Sequence, residues 1–325
     1  MFGPIIRRGL RLLCGACLLA GATAGRAQDD VAARIGTQQD VIRRGEAGTV
    51  EQAIPFRLTD PELGEIDIVA RQPRPKMFTF WTDQSFLYTS NAFLVPNGEQ
   101  HDFFWNGRFD ASFVPYATRN FTPRLTFEQN FFRYDEFSTL NFDSSSLQFD
   151  MKYDLNRDDT WFVNLSYLGA ILYSDEPNTG PLSTGEDVGE FYKYGLLNAS
   201  ITHVRPLGTL PLRAAFTGGT NWRHGDPSDF DRISLFAAAV VFYAPIETVQ
   251  FTAFVRPELQ FYLHDPNSSS RTDFNLSGGV SAGWTPVEYL SIGATAGFTT
   301  NFSSTDPNDY NVFLPSVVLA ARVAF

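Results

Sequence analysis

From Lys76 to Phe325 apolar and polar residues alternate with a period of two. That is the spacing of a β-strand, whose successive side chains leave opposite faces. Twelve such segments are predicted as strands: 77–90, 102–115, 120–134, 144–155, 160–173, 189–204, 209–223, 230–244, 247–263, 271–285, 288–302 and 309–325. Their faces sort. In 247–263 Val249, Phe251, Ala253, Val255, Leu259, Phe261 and Leu263 oppose Thr248, Gln250, Thr252, Arg256, Glu258 and Gln260. In 271–285 Phe274, Leu276, Val280, Ala282 and Trp284 oppose Asp273, Asn275, Ser277 and Ser281. In 288–302 Leu290, Ile292, Ala294, Ala296 and Phe298 oppose Ser291, Gly293, Thr295, Gly297, Thr299 and Asn301. A slip of one residue would exchange the two sets, so the register is well specified. Segment 230–244 is apolar on both faces, which fits packing against an inserted segment.

The connections alternate in length. Short ones are 116–119, 156–159, 205–208, 245–246 and 286–287; between them lie the longer, polar 91–101, 135–143, 174–188, 224–229, 264–270 and 303–308. Membrane barrels show short periplasmic turns and longer extracellular loops, whereas a soluble β-sandwich has no reason to keep such an alternation. The expected fold class is therefore all-β: a transmembrane antiparallel up-and-down β-barrel of about twelve strands, residues 76–325, with both chain ends on the periplasmic side. About ten tilted residues cross the bilayer, and most of the segments exceed that.

Composition agrees. The chain holds 31 Phe, 12 Tyr and 5 Trp, more aromatics than a small soluble core hides but useful on a lipid face. Trp105, Tyr173 and Trp222 fall toward the predicted outer rim; Phe78, Trp161, Tyr243, Trp284 and Tyr289 fall toward the inner rim. Amphipathic rings favour the headgroup level. Past residue 27 no segment approaches 18 unbroken apolar residues, so no transmembrane helix is expected.

Residues 1–27 read as a signal peptide. Arg7, Arg8 and Arg11 form a positive region, an apolar stretch runs from Leu12 to about Ala22, and small residues follow. Ala22-Thr23-Ala24 and Gly25-Arg26-Ala27 are both plausible cleavage points; the second is favoured because polar, acidic sequence starts at Gln28. Arg7-Arg8 resembles a twin-arginine signal only weakly, and an ordinary secretory signal suits a barrel that crosses the inner membrane unfolded. Cys14 and Cys17 both lie in this segment, so the mature chain has no thiol for disulfides or metal. Cys14-Gly15-Ala16 is a poor lipobox. Cleavage removes four arginines, taking Lys+Arg from 25 to 21 against 36 acids, a net −15. That argues against nucleic acid as a partner.

Residues 28–75 are charged, rich in Gln and poor in aromatics. A short helix over 31–44, weakened by Gly36, and a strand over 66–70 are expected, with Pro55, Pro61, Pro73 and Pro75 as breaks. The region reads as a partly disordered periplasmic or plug-like extension with a periplasmic partner. It faintly resembles the acidic-apolar box by which some outer-membrane transporters meet an energising partner.

At the other end Val317, Leu319, Ala321, Val323 and Phe325 alternate. This resembles the carboxy-terminal signature of bacterial outer-membrane β-barrel proteins, where a closing Phe is read by the barrel-assembly machinery. Signal, barrel and ending together cover about three quarters of the chain. The resemblance implies insertion into the bacterial outer membrane, with lipid and lipopolysaccharide as surroundings and Val323 and Phe325 as assembly signal.

Inward-facing charges are the best functional candidates. By parity they are Asp83, Arg108, Asp110, Arg124, Glu128, Asp150, Lys152, Asp154, Arg213, Arg223, Arg256, Glu258, Asp273 and Arg322, with both signs in similar numbers. Such rows guide a solute through a polar channel or pair into a network that fills a modest lumen. Porins for acidic sugars resemble this layout but would show a more one-sided arginine wall. No cofactor is expected, and neither a phosphate loop nor an H-E-x-x-H metal spacing occurs. Outer-membrane phospholipases of twelve strands place a Ser two residues after a His; here His101, His203, His224 and His264 precede Phe103, Arg205, Asp226 and Pro266. Asp226, Asp229 and Asp231 share one outer loop, which reads as solvated or as a cation site between lipopolysaccharides rather than a protease dyad. The leading expectation is a non-enzymatic channel or export pore for small polar solutes or a polymer. A closed anchoring barrel that binds a partner is the alternative, and an outer-membrane hydrolase comes third.

Overall fold

The computed structural model describes residues 76–325 apart from 119, 157–159, 175–188, 209, 266–269 and 306–307, and ahead of them 58–60 and 64–66. The signal peptide expected over 1–27, the helix expected over 31–44 and most of the expected extension lie outside the described residues. Of the strand expected over 66–70, Ile66 alone is described, as the end of a two-stranded hairpin of β1 (Leu58–Asp60) and β2 (Gly64–Ile66).

Twelve further strands close into one barrel. They are β3 (Phe78–Thr89), β4 (Asp102–Phe113), β5 (Phe121–Tyr134), β6 (Phe142–Asp154), β7 (Trp161–Ser174), β8 (Gly189–Pro206), β9 (Leu212–Asp226), β10 (Arg232–Ile246), β11 (Val249–Tyr262), β12 (Arg271–Val287), β13 (Leu290–Ser303) and β14 (Tyr310–Ala324). Each pairs antiparallel with its sequence neighbour, and β14 returns to β3. Strand ends fall within three residues of those read from the alternation. The shortest turns, Ile246 to Val249 and Val287 to Leu290, each carry a register shift where the strands reverse.

The barrel is apolar outside and polar inside. Outward Phe86, Phe109 and Val317 are 65%, 52% and 55% exposed, whereas inward Asp83, Arg108 and Asp273 are 2%, 3% and 1% exposed. In water such an apolar belt would aggregate; in hydrocarbon it is the solvated surface. Closure leaves no edge strand, so the ladder amides meet partners around the ring. At the seam the Phe78 and Phe325 amides each donate to the other's carbonyl at 3.0 Å. The Phe325 ring lies 6.2 Å from Phe78 and 6.0 Å from Phe80, centroid to centroid. At the outer girdle the Trp105 indole lies over Gly107, where a Cβ would come within 2.4 Å of the ring, and donates to Gln84 at 3.0 Å.

Candidate functional site

Alternation alone assigns a side chain to the lumen; ring closure decides which lumen residues confront each other. Cross-strand registers set Asp83 opposite Arg108, Asp110 opposite Glu128, and Arg124 opposite Asp150. Arg322 stands opposite Trp81, Arg223 opposite Arg232, and Arg213 opposite Phe242. Lys152, Arg256, Glu258 and Asp273 lie on the same inward face, opposite Asn164, Ser277, Asn275 and Gln260.

These charges are segregated. Among the described residues the inward face of β3–β6 holds Asp83, Asp102, Asp110, Glu128, Asp150 and Asp154 against Arg108, Arg124 and Lys152. The inward face of β9–β12 holds Arg213, Arg223, Arg232, Arg256 and Arg271 against Glu258 and Asp273. In a ring of twelve these two groups of four strands stand across the lumen from each other. The two signs are similar in number, as the sequence has them, but they are not mixed around the ring: the acidic wall faces the basic one, a field across the bore. On the acidic wall Arg108 pairs with Glu128 and lies 3.6 Å from Asp110, and Lys152 lies 3.0 Å from Asp154. On the basic wall Arg256 meets Glu258 at 2.9 Å, and Arg271 meets Asp273 and, at 3.6 Å, Asp265. Arg223 lies 4.0 Å from the Tyr194 ring centroid, and Arg232 lies 5.6 Å from that of Tyr262. Arg232 and Arg271 were not among the sequence candidates; Arg271-x-Asp273 on one strand face was the available signal.

The inward face of β10 is apolar from Phe236 through Ala238 and Val240 to Phe242, and Phe254 of β11 faces Val240. All five are half-buried. The sequence left this strip to an inserted segment, and most of residues 28–75, the extension that could supply one, lies outside the described residues.

The outer mouth departs most from expectation. Connections 91–101 and 135–143, read as polar loops, send Ala92, Leu94 and Leu140 inward, and Phe230 follows from the β9–β10 connection. They pack against inward Leu87, Phe104, Phe132, Phe142, Leu172 and Tyr192 as one buried apolar collar. Phe132 and Phe142 stack at 4.2 Å, and Tyr192 meets Phe230 edge-on at 5.2 Å. Two buried polar groups pin these loops. The Asn91 amide donates to the Val95 and Asn311 carbonyls at 2.8 and 3.1 Å and accepts from the Val95 amide at 3.1 Å. The Asp102 carboxylate accepts from the Glu136 and Phe137 amides at 3.1 and 3.0 Å. The run Ala92-Phe93-Leu94-Val95 was the sequence signal for inward packing.

Two of the three acids weighed for hydrolysis have local work. Asp226 lies 3.4 Å from Lys193, and Asp231 accepts from the Gly225 amide at 2.7 Å and lies 3.6 Å from His264. Among the described residues no cluster of His, Cys, Asp and Glu is placed to hold a metal.

No family model matches the chain, and no curated protein matches it in sequence. Solved structures match in shape. An outer membrane channel from Pseudomonas putida F1 superposes with a TM-score of 0.54 at 12% identity, over 77% of this chain and 96% of the other. The translocator domain of the autotransporter NalP from Neisseria meningitidis gives 0.47 at 12% identity, over 91% and 98%. LpxR from Salmonella typhimurium gives 0.42 at 7% identity, over 73% and 99%. With its closed ring, apolar exterior and polar lumen, the chain has the fold of a twelve-stranded outer-membrane β-barrel.

Proposed function

We propose that this protein is a passive outer-membrane channel for small polar solutes, gated at its outer end by the apolar collar. The observation that carries the reading is the lumen wall itself. Below the collar it is lined by charges of both signs, and toward the periplasmic end Arg124, Lys152 and Arg213 become exposed or half-buried. A barrel needed only as an anchor would be more stable with a filled apolar core, because burying charge costs more than burying methylenes. Fixed charges on facing walls orient dipolar and ionic solutes. Neighbouring folds include an outer membrane channel, which supports a pore more than it supports any solute.

The collar favours a second reading, a closed anchoring barrel that binds a partner through its loops or residues 28–75. Conductance of the purified protein in planar bilayers separates the two. A channel shows discrete openings that become longer in Asp102→Ala, where the loop anchor is lost. A barrel silent in the wild type, in Asp102→Ala and after removal of residues 28–75 is an anchor.

A further inference from the structure

The strip on β10 has a cost that the channel reading does not absorb. Phe236, Ala238, Val240 and Phe242 form a half-buried apolar strip on the lumen side of β10, set between the Arg213 and Arg256 guanidinium groups of the flanking strands. Apolar surface left in water forgoes the gain of burial unless something apolar covers it. The rings are also laid along the wall rather than across the bore. Phe236 lies on Gly219 of β9, where a Cβ would come within 2.7 Å of its Cζ, and Phe254 lies on Gly279 of β12, at 3.1 Å. From Phe236 to Phe242 the strip spans roughly 20 Å at about 3.3 Å per residue. Each end carries a cation. The Arg256 guanidinium sits 4.4 Å from the Phe236 ring centroid, one of its amines held by Glu258 at 2.9 Å, and Arg213 is the cross-strand partner of Phe242. The wall across the lumen is net acidic and pushes an anion toward this one.

We propose that the β9–β11 wall is a binding track for organic monoanions with an apolar body, such as aromatic or short aliphatic carboxylates. The body lies on the Phe236–Phe242 strip, and the carboxylate meets the guanidinium of Arg213 or Arg256. The proposal rests on the channel reading for the solute's route. A guanidinium offers a carboxylate two parallel N–H donors. A sugar acid brings the charge without the apolar body; an alkylammonium brings the body with the wrong charge. The track selects for both together.

The test uses the mature chain in lipid nanodiscs, with empty nanodiscs as blank. Binding of phenylacetate and of the acetate-to-octanoate series is followed by saturation-transfer NMR, with glucuronate and phenethylammonium as comparators. In parallel, the same anions are assayed as blockers of chloride current in planar bilayers. Phenylacetate should bind about tenfold more tightly than either comparator. Affinity should rise about twofold per added methylene, less than for full burial because the strip is half-open. Phe236→Ser combined with Phe242→Ser should flatten the chain-length series. Arg213→Gln combined with Arg256→Gln should abolish the preference over the ammonium. Heat-modifiable gel mobility shows that the variants are folded. Equal binding of phenylacetate and glucuronate overturns the proposal, and so does an unchanged chain-length series in the serine variant. A preference seen only after deletion of residues 28–75 also overturns it, because the chain's own N-terminal segment then covers the strip. Selective binding with no current, with or without residues 28–75, upholds the track and defeats the channel reading.

Discussion

The two charged walls of the lumen are made from the same alternating strands, yet they handle charge in opposite ways. On β3–β6 carboxylates outnumber cations, and the cations are held at short range, with Arg108 between Asp110 and Glu128 and Lys152 on Asp154. This wall runs up beneath loops pinned by Asn91 and Asp102. On β9–β12 cations outnumber acids, stack on Tyr194 and Tyr262, and share the wall with a half-open apolar strip. The first wall is consolidated beneath the collar, and the second pairs Arg256 with Glu258 and Arg271 with Asp273 while keeping an excess of cations beside the strip. Net charge along a barrel sequence therefore says little until each charge has an angular position on the ring.

The largest effect should come from the consolidated wall. The Arg108 side chain is 4% exposed, and its removal in Arg108→Ala strands buried carboxylates. The expected cost is about 3–5 kcal/mol, the range for breaking a buried pair from one side. Arg256→Ala on the facing wall, where the side chain is 23% exposed and serves a single carboxylate that keeps a donor in the Gln260 amide, should cost less, about 1 kcal/mol. Urea titration of the barrel refolded into vesicles measures both. Equal costs would mean that the two walls do not differ as described.

A smaller and sharper contrast lies within β11. Phe251 faces lipid and is 45% exposed at the surface, whereas Phe254 faces the lumen. Phe251→Arg should destabilise by about 2–4 kcal/mol if it sits near the midplane, and Phe254→Arg by less than about 1 kcal/mol. The same titration ranks them, and a reversed order would mean that the strand's faces are inverted.

At the mouth, Asp102→Ala removes a buried acceptor from two backbone amides. Bonds to a charged group are worth about 1.5–3 kcal/mol each, so the loop should open at least tenfold more often while the strands hold. Hydrogen exchange at Glu136 and Phe137 should quicken by that factor; unchanged protection would mean that the collar does not depend on this anchor.

The sequence showed the barrel well and the lumen only by parity. Strand positions were legible because lipid on one side and water on the other force an alternation such as Val249, Phe251 and Ala253 against Gln250 and Thr252. The lumen was harder to read. Which charges confront depends on closure of β14 onto β3, a contact between the two ends of the barrel sequence. Loops 91–101 and 135–143 were read by overall polarity, and their few apolar residues are the ones that turn inward. The double-faced apolar pattern of 230–244 is the half-buried strip from Phe236 to Phe242 on its lumen side, and most of the extension that could insert against it lies outside the described residues. Arg232, at the head of that segment, follows the acidic Asp229-Phe230-Asp231 turn, and only its register opposite Arg223 places it on the lumen wall.

The gentlest test touches charge alone. Arg213 is half-buried toward the periplasmic mouth of the basic wall, and Arg124 stands at the same end of the acidic wall, opposite Asp150. Each converted to Gln should change stability by no more than about 1 kcal/mol, the scale for charge pairs that water reaches. Their effects on selectivity should differ. Arg213→Gln takes one cation from a wall where cations are in excess, so the anion-to-cation permeability ratio should fall about twofold, read as a shift in reversal potential under a potassium chloride gradient. Arg124→Gln removes a charge that Asp150 already offsets across the strand pair, so its shift should be smaller. Both shifts should fade near 1 M salt, where screening acts over about 3 Å. Equal shifts for the two variants would show that the solute path samples the whole lumen without preferring a side, and the division into two walls would then have no functional consequence.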